Sequence, residues 1–154
     1  MPNLLSRRAT LGGLCLLTLT AACGGPKEPG SVELAISGQP GANTGPDGGD
    51  RPLMVQILQL RGTAAFDAVA PLDLQDPAAA LGGDLVKAES VTLAPGGTVS
   101  RTLVLDPATT AVAVVGGYRV MTGKIVRARV PVSPTEKARF AVTAGPGGVT
   151  MAPA

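Results

Sequence analysis

Short apolar runs with a two-residue period, cut apart by glycine- and proline-rich breaks, constrain this chain of 154 residues more than any other feature. Runs of this length and period specify half-buried strands and leave no room for long helices. Val32, Leu34 and Ile36 alternate with Glu33 and Ala35, which predicts a first strand. Residues 38–52, GQPGANTGPDGGDRP, hold five glycines and three prolines without apolar periodicity and predict a long loop. LMVQILQL, Leu53 to Leu60, is apolar on both faces and therefore reads as a strand central in its sheet.

A short helical insert is expected next, near residues 63–88. Thr63 can cap a helix AAFDAVA that Pro71 stops. Asp76 offers a second N-cap with Pro77 at the first helical position, and Gly82-Gly83 ends that turn. Strands then resume. Val91–Leu93 and Val99–Leu105 flank Pro95-Gly96, a pair that favours a type II turn. Ala111–Val115 is broken by Gly116-Gly117, read as a bulge, and resumes at Tyr118. Val126, Ala128, Val130 and Val132 alternate with Arg127, Arg129 and Pro131, and the proline marks an edge strand. Phe140–Thr143 and Val149–Met151 form a hairpin around GPGG. About eight strands at regular spacing, one helical insert and no repeats predict an all-β fold, an antiparallel β-sandwich. Phe66, Tyr118 and Phe140 are the only aromatics, so the core must be Val, Leu, Ile and Ala, and moderate stability is expected.

The first two dozen residues are of another kind. Arg7 and Arg8 precede an apolar run from Ala9 to Leu19, followed by Ala21, Ala22 and Cys23. A positive n-region, a short h-region and a small-residue cleavage site are the layout of a secretory signal. The run falls short of the about 20 apolar residues that span a bilayer. Because a cysteine follows the small pair, residues 1–22 resemble a bacterial lipoprotein signal, in which the cut precedes a cysteine whose thiol receives a diacylglycerol. Thr20 stands where such signals usually carry leucine, and a plain secreted protein with an incidental cysteine is the alternative. Ser6-Arg7-Arg8 with Leu11 also resembles a twin-arginine export motif without its aromatic. In lipoproteins of this type an aspartate after the lipidated cysteine commonly signals inner-membrane retention, so the resemblance, with Gly24 there, implies transfer to the outer membrane.

If Cys23 starts the mature chain, 132 residues remain (23–154), enough for one domain. Removing Arg7 and Arg8 from the 13 basic residues leaves 11 against 11 acidic ones, so the mature protein is neutral. Neutrality argues against nucleic-acid binding, which wants a clustered basic face. Acylation of Cys23 consumes the last cysteine, so no disulfide can form. The chain has no histidine, which excludes the usual zinc sites and every Ser-His-Asp or Cys-His catalytic pair. No cofactor is expected beyond the covalent lipid on Cys23. Residues 24–30, GGPKEPG, read as a flexible tether lifting the domain off the membrane.

Several segments in this order resemble one family. The loop with Asn43, Pro46 and Gly49 leads into Pro52 and a strand ending Gln59-Leu60. Leu81-Gly82 with Asp84-Leu85, then Pro95-Gly96 and Tyr118-Arg119 follow. Together they resemble the outer-membrane lipoprotein of the type VI secretion system, the TssJ (VasD/SciN-like) family, over Ser31 to about Met151. Leu58 replaces a common tyrosine, and Ile125 or Val126 stands where a tryptophan often precedes the arginine matched by Arg127. The resemblance implies a transthyretin-like β-sandwich with a helical addition (31–154), anchored in the outer membrane and facing the periplasm. It implies a structural role, recruiting the periplasmic domain of the inner-membrane core protein (TssM-like), with no small-molecule substrate. It further implies that the loop between the first two strands contacts that partner, here through Gln39, Pro40, Asn43, Pro46, Asp47, Gly49 and Asp50.

Other readings stay open at this level. The loop composition also fits a solvated connector, although connections this long are more often functional or disordered. Asn43, Asp47 and Asp50 are hard oxygen ligands, in a spacing that fits no established calcium loop. Arg119, Arg127 and Arg129 also fit solvent-facing strand positions. A lipid-anchored module binding a small ligand or glycan would want surface aromatics that the composition lacks. An enzyme would need carboxylates or a Ser-Lys pair, and no G-x-S-x-G motif is present.

Overall fold

A computed structural model describes residues 24–154; the signal segment and Cys23 lie outside the described residues. Residues 24–29 are exposed and carry no regular structure. Gly30 is where the chain joins the domain. Its N–H donates to Pro134 O (2.7 Å) and its carbonyl accepts from the Leu105 N–H (2.9 Å).

In chain order the strands are β1 (Ser31–Gly38), β2 (Leu53–Leu60), β3 (Leu85–Leu93), β4 (Thr98–Val104), β5 (Ala111–Gly116), β6 (Arg127–Pro131), β7 (Lys137–Gly145) and β8 (Gly148–Pro153). They form two four-stranded sheets, β4-β1-β7-β8 and β3-β2-β5-β6, packed as a sandwich. The expected class holds with one departure from antiparallel order. β1 pairs in parallel with β7, Ser31 opposite Lys137 through Gly38 opposite Ala144. Alternation fixes which residues face inward but carries no strand direction. Five strands separate β1 from β7, so their parallel pairing needs no tight connection.

Val32, Leu34 and Ile36 of β1 meet Leu53, Val55 and Ile57 of β2 in the main core between the sheets. β2 is central and buried on both faces, as its composition predicts. Its outward Leu58 and Leu60 join Phe66, Leu74, Leu81, Ala111, Ala113 and Val115 in a second apolar cluster beneath the helical insert. All three aromatics are buried, and Phe66 is the plug of this second cluster. Truncating such a ring costs about 3–5 kcal/mol.

The insert consists of α1 (Ala64–Ala68), a 3-10 turn at Asp73–Gln75, α2 (Pro77–Leu81) and a 3-10 turn at Gly82–Asp84. β3 starts at Leu85, so residues 85–88 belong to the sheet rather than the insert. This strand was hard to read because Lys87 and Glu89 share the face of Val91 and Leu93. Val86 is also extruded as a bulge, with Gln59 opposite Lys87 and Leu60 opposite Leu85. Inward charges and a bulge are how edge strands avoid pairing with other chains. Asp76 caps α2 as expected, accepting from the Ala79 N–H at 3.2 Å, with Pro77 opening the helix and Gly82 (φ 52°) closing it. Thr63 precedes α1 but its hydroxyl caps nothing.

Arginines hold α1 instead. Arg127 donates to the carbonyls of Phe66 (2.7 Å), Val69 (2.6 Å) and Asp67 (3.1 Å), the C-terminal carbonyls that a short helix leaves unpaired. Its guanidinium also lies 5.8 Å from the Phe66 ring centroid. Arg129 grips the Asp67 carboxylate with two bonds of 2.8 and 2.7 Å and holds that carboxyl below the usual range. These residues fasten the insert to β6 and are not idle surface arginines.

The turn at Pro95-Gly96 forms as expected, with Gly96 at φ 67° and the Gly97 N–H donating to Ala94 O (2.8 Å). Its flanking strands lie in different sheets, so it carries the chain across the sandwich. The bulge expected at Gly116-Gly117 is absent, since β5 pairs with β2 in unbroken register through Gly116. Gly116 is needed for another reason: a Cβ there would sit 2.5 Å from Tyr118 Cε2. Tyr118 accordingly turns into the core from a loop and does not resume the strand. β6 is an edge strand, as Pro131 predicts, and β7–β8 is the expected hairpin.

Candidate docking site

The register places the loops at two ends of the sandwich. Ser37 of β1 lies opposite Thr98, the first residue of β4, and Gly38 lies opposite Ala144 near the end of β7. The β1–β2, β3–β4, β5–β6 and β7–β8 connections therefore share one pole. Gly30, the β4–β5 and β6–β7 connections and the start of the insert occupy the other. The eight residues of β1 separate the poles by about 26 Å.

The β1–β2 loop is built by its own polar groups. Thr44 and Asp50 form an antiparallel bridge, and the Gly45 N–H donates to Gly49 O (2.8 Å). The tip is a β-turn with Pro46 and Asp47 at its centre, closed by the Gly48 N–H to Gly45 O (3.0 Å). Gly48 has φ 77°, a left-handed conformation that glycine adopts freely. Asp47 accepts from the Gly49 N–H (3.2 Å) and from Arg51 (2.9 Å), while both oxygens of Asp50 accept from the Gly41 N–H at 2.9 Å. Asn43 is buried and pins the loop to the body. Its amide donates to Pro52 O and its carbonyl accepts from the Arg119 N–H, both at 2.9 Å.

Lys124 and Tyr118 form a second clamp. Lys124 donates to Pro146 O (2.6 Å) and reaches Ala42 O (3.4 Å), with its ammonium 5.1 Å from the Tyr118 ring centroid. Tyr118 donates to Gly145 O at 3.2 Å, and burial pushes its hydroxyl up to about 12. One lysine thus ties the β1–β2, β5–β6 and β7–β8 connections together. Lys124 lies 82 residues from Ala42, and no local pattern announces such a contact.

Of the seven loop residues singled out, Gln39, Pro40, Pro46, Asp47, Gly49 and Asp50 are exposed at this pole, and Asn43 faces inward. Asn43, Asp47 and Asp50 are each engaged within the loop or with the body, so they shape the surface rather than offer free polar groups. Their oxygens turn to four different donors and do not converge on a cation. Among the described residues no three His, Cys, Asp or Glu side chains come together as a metal site.

Three solved structures share this fold. The type VI secretion lipoprotein TssJ1 from Pseudomonas aeruginosa is 24% identical, with a TM-score of 0.75 over 82% of this chain and 97% of that one. Lip of Serratia marcescens, described as a membrane-bound component of the type VI secretion system, is 21% identical, with a TM-score of 0.74 over 82% and 98%. A chain in a structure described as a type VI membrane complex is 23% identical, with a TM-score of 0.70 over 80% and 98%. Comparison with curated proteins gives no match. The sequence profile described as type VI secretion lipoprotein (VasD, EvfM, TssJ) matches residues 30–146, which cover β1 to β7, the insert and most of the pole just described. The chain belongs to the type VI secretion lipoprotein family.

Proposed function

We propose that this chain anchors an envelope-spanning secretion complex to the outer membrane and recruits the periplasmic domain of its TssM-like inner-membrane core protein. The observation that carries the reading is the opposition of the two poles. The lipid site at Cys23 connects to Gly30, at the end away from the β1–β2 loop. Residues 24–30 reach at most about 25 Å when extended, so the body stays near the membrane while the loop pole faces the periplasm. The exposed Gln39, Pro40, Pro46 and Gly49 then present a preformed surface, held in shape by Asn43, Asp47 and Asp50. Pre-shaped loops bind without first paying the entropy of ordering. Membership of the family and the likeness to a chain of a type VI membrane complex support an assembly role. The absence of histidine from the sequence favours a structural component over an enzyme.

The test joins lipid and partner. Intact mass should place a diacylglycerol on Cys23 as the first residue, since buried acyl chains at about 0.8 kcal/mol per CH₂ make attachment stable. Cys23→Ser should give a folded, soluble periplasmic domain that still binds the purified partner domain but fails to support secretion. A Cys23→Ser chain with wild-type secretion, or a parent chain that does not bind the partner domain, overturns the reading.

A further inference from the structure

Exposed apolar side chains collect at the loop pole. Five large ones are exposed among the described residues: Met54, Leu72, Val104, Val120 and Ile125. Val120 and Ile125 are 54% and 64% exposed, and both belong to the β5–β6 connection. Met54 is the second residue of β2 and lies at the same pole, where its carbonyl accepts from the Gly117 N–H (2.7 Å).

The positions of Val120 and Ile125 are fixed by what surrounds them. Ile125 is held in a backbone bridge to the β7–β8 turn, its N–H donating to Gly147 O (2.9 Å) and its carbonyl accepting from the Val149 N–H (2.7 Å). Val120 follows Arg119, whose N–H is bound by Asn43 of the β1–β2 loop, and precedes Met121, which packs on the core. An exposed side chain on a backbone tied down on both sides loses little freedom on being covered.

We propose that the β5–β6 connection forms the apolar half of the docking surface, with Val120 and Ile125 as anchors and Arg119 as the receptor of a carboxylate. The inference rests on the proposed function and commits to the same occupant, the periplasmic partner domain, which must offer an apolar contact flanked by an acidic side chain. Charge at the pole selects that chemistry. Asp47 is neutralised by Arg51, Asp50 is turned back onto the Gly41 N–H, and Lys124 is engaged by carbonyl oxygens. Arg119 is exposed and takes part in none of the ion pairs among the described residues. The outer membrane is the wrong occupant, because the tether leaves from the opposite pole. Buried apolar anchors with a polar rim are the anatomy of a specific interface.

The experiment uses the full acylated protein in detergent micelles and the partner's periplasmic domain in a calorimeter. Val120→Asp and Ile125→Asp should each weaken binding at least tenfold while shifting the melting temperature by less than about 2 °C. Arg119→Glu should weaken binding and flatten its salt dependence. Amides 117–125 of the unsubstituted protein should gain hydrogen-exchange protection in the complex, a readout that does not depend on any variant folding. Parent-like affinity in both aspartate variants, or no added protection over 117–125, overturns the inference while leaving the β1–β2 loop as the contact. A dimer of the free protein that Ile125→Asp dissociates overturns it in favour of a second copy. A parent chain that fails to bind the partner domain removes the proposed function and this inference with it.

Discussion

Replacing Arg127 by methionine should loosen the helical insert without touching either sheet. The side chain makes two short, part-buried hydrogen bonds, to Phe66 O (2.7 Å) and Val69 O (2.6 Å). It makes a weaker exposed one to Asp67 O (3.1 Å) and covers one side of the Phe66 ring. Hydrogen bonds to charged groups contribute about 1.5–3 kcal/mol each when shielded; partial exposure reduces the two good ones to about 1 kcal/mol apiece. The exposed bond adds nothing measurable. Stacking on Phe66 adds about 0.5–1 kcal/mol, and methionine recovers part of the packing. The sum is a loss of about 2–3 kcal/mol. For a domain of about 130 residues, 1 kcal/mol corresponds to about 3–4 °C, so the melt should fall by about 6–12 °C. Urea denaturation should show a lower midpoint. Hydrogen exchange should accelerate first at the amides of 67–81, before the sheets lose protection. Arg127→Lys should recover little, because one ammonium cannot span three carbonyls that a guanidinium fork reaches. An Arg127→Met chain that melts within 2 °C of the parent refutes the assignment of Arg127 as the fastening of the insert.

Three further outcomes follow from the same geometry. Asn43→Ala leaves the Arg119 N–H and the Pro52 carbonyl without their buried partner, and should cost about 2–3 kcal/mol by urea denaturation as well as lowering partner affinity; Asn43→Asp should recover the first bond and not the second. The Tyr118 hydroxyl titrates at about 12 in the fold against 10.0 when free, so its contribution to stability is complete below pH 10 and is lost as pH rises towards 12. Tyr118→Phe should show no such loss over that window, and a parent-like alkaline melt in this variant contradicts the assignment. Arg129→Ala should leave the melt close to that of the parent, since its pair with Asp67 is exposed, and the Asp67 carboxyl should titrate closer to its ordinary range.

The sheets were largely legible because burial writes a two-residue period into a strand. β1, β2, β5, β6 and the β7–β8 hairpin follow their alternation or apolar runs closely. β3 was legible only over Val91–Leu93. Its first half carries Lys87 and Glu89 on the inner face and a bulge at Val86, and both erase the period. Strand order and the parallel β1–β7 pairing depend on contacts about 105 residues apart, of which local sequence carries no trace. The β1–β2 loop was located by its glycines and prolines, yet its internal order was not. Asn43 is a polar residue in a polar loop, and only its partners Pro52 and Arg119 make it a pin. Composition likewise placed Arg127 and Arg129 on a surface strand, and the fold turned them towards a helix 60 residues earlier in the chain.

The parallel pairing of β1 and β7 also has a mechanical consequence. A pull between the N-terminal segment at Gly30 and anything held at the opposite pole runs along the axis of β1, which lies between β4 and β7. The ladder bonds on both flanks stand roughly across that axis, so such tension shears two ladders at once and cannot unzip them bond by bond. Antiparallel β4 begins where β1 ends, and parallel β7 ends beside it, so each flank resists from both termini of the strand. Traction between the tether and the loop pole therefore meets two ladders in shear, whereas the same force applied at the exposed end of β8 would peel an edge strand from a single neighbour.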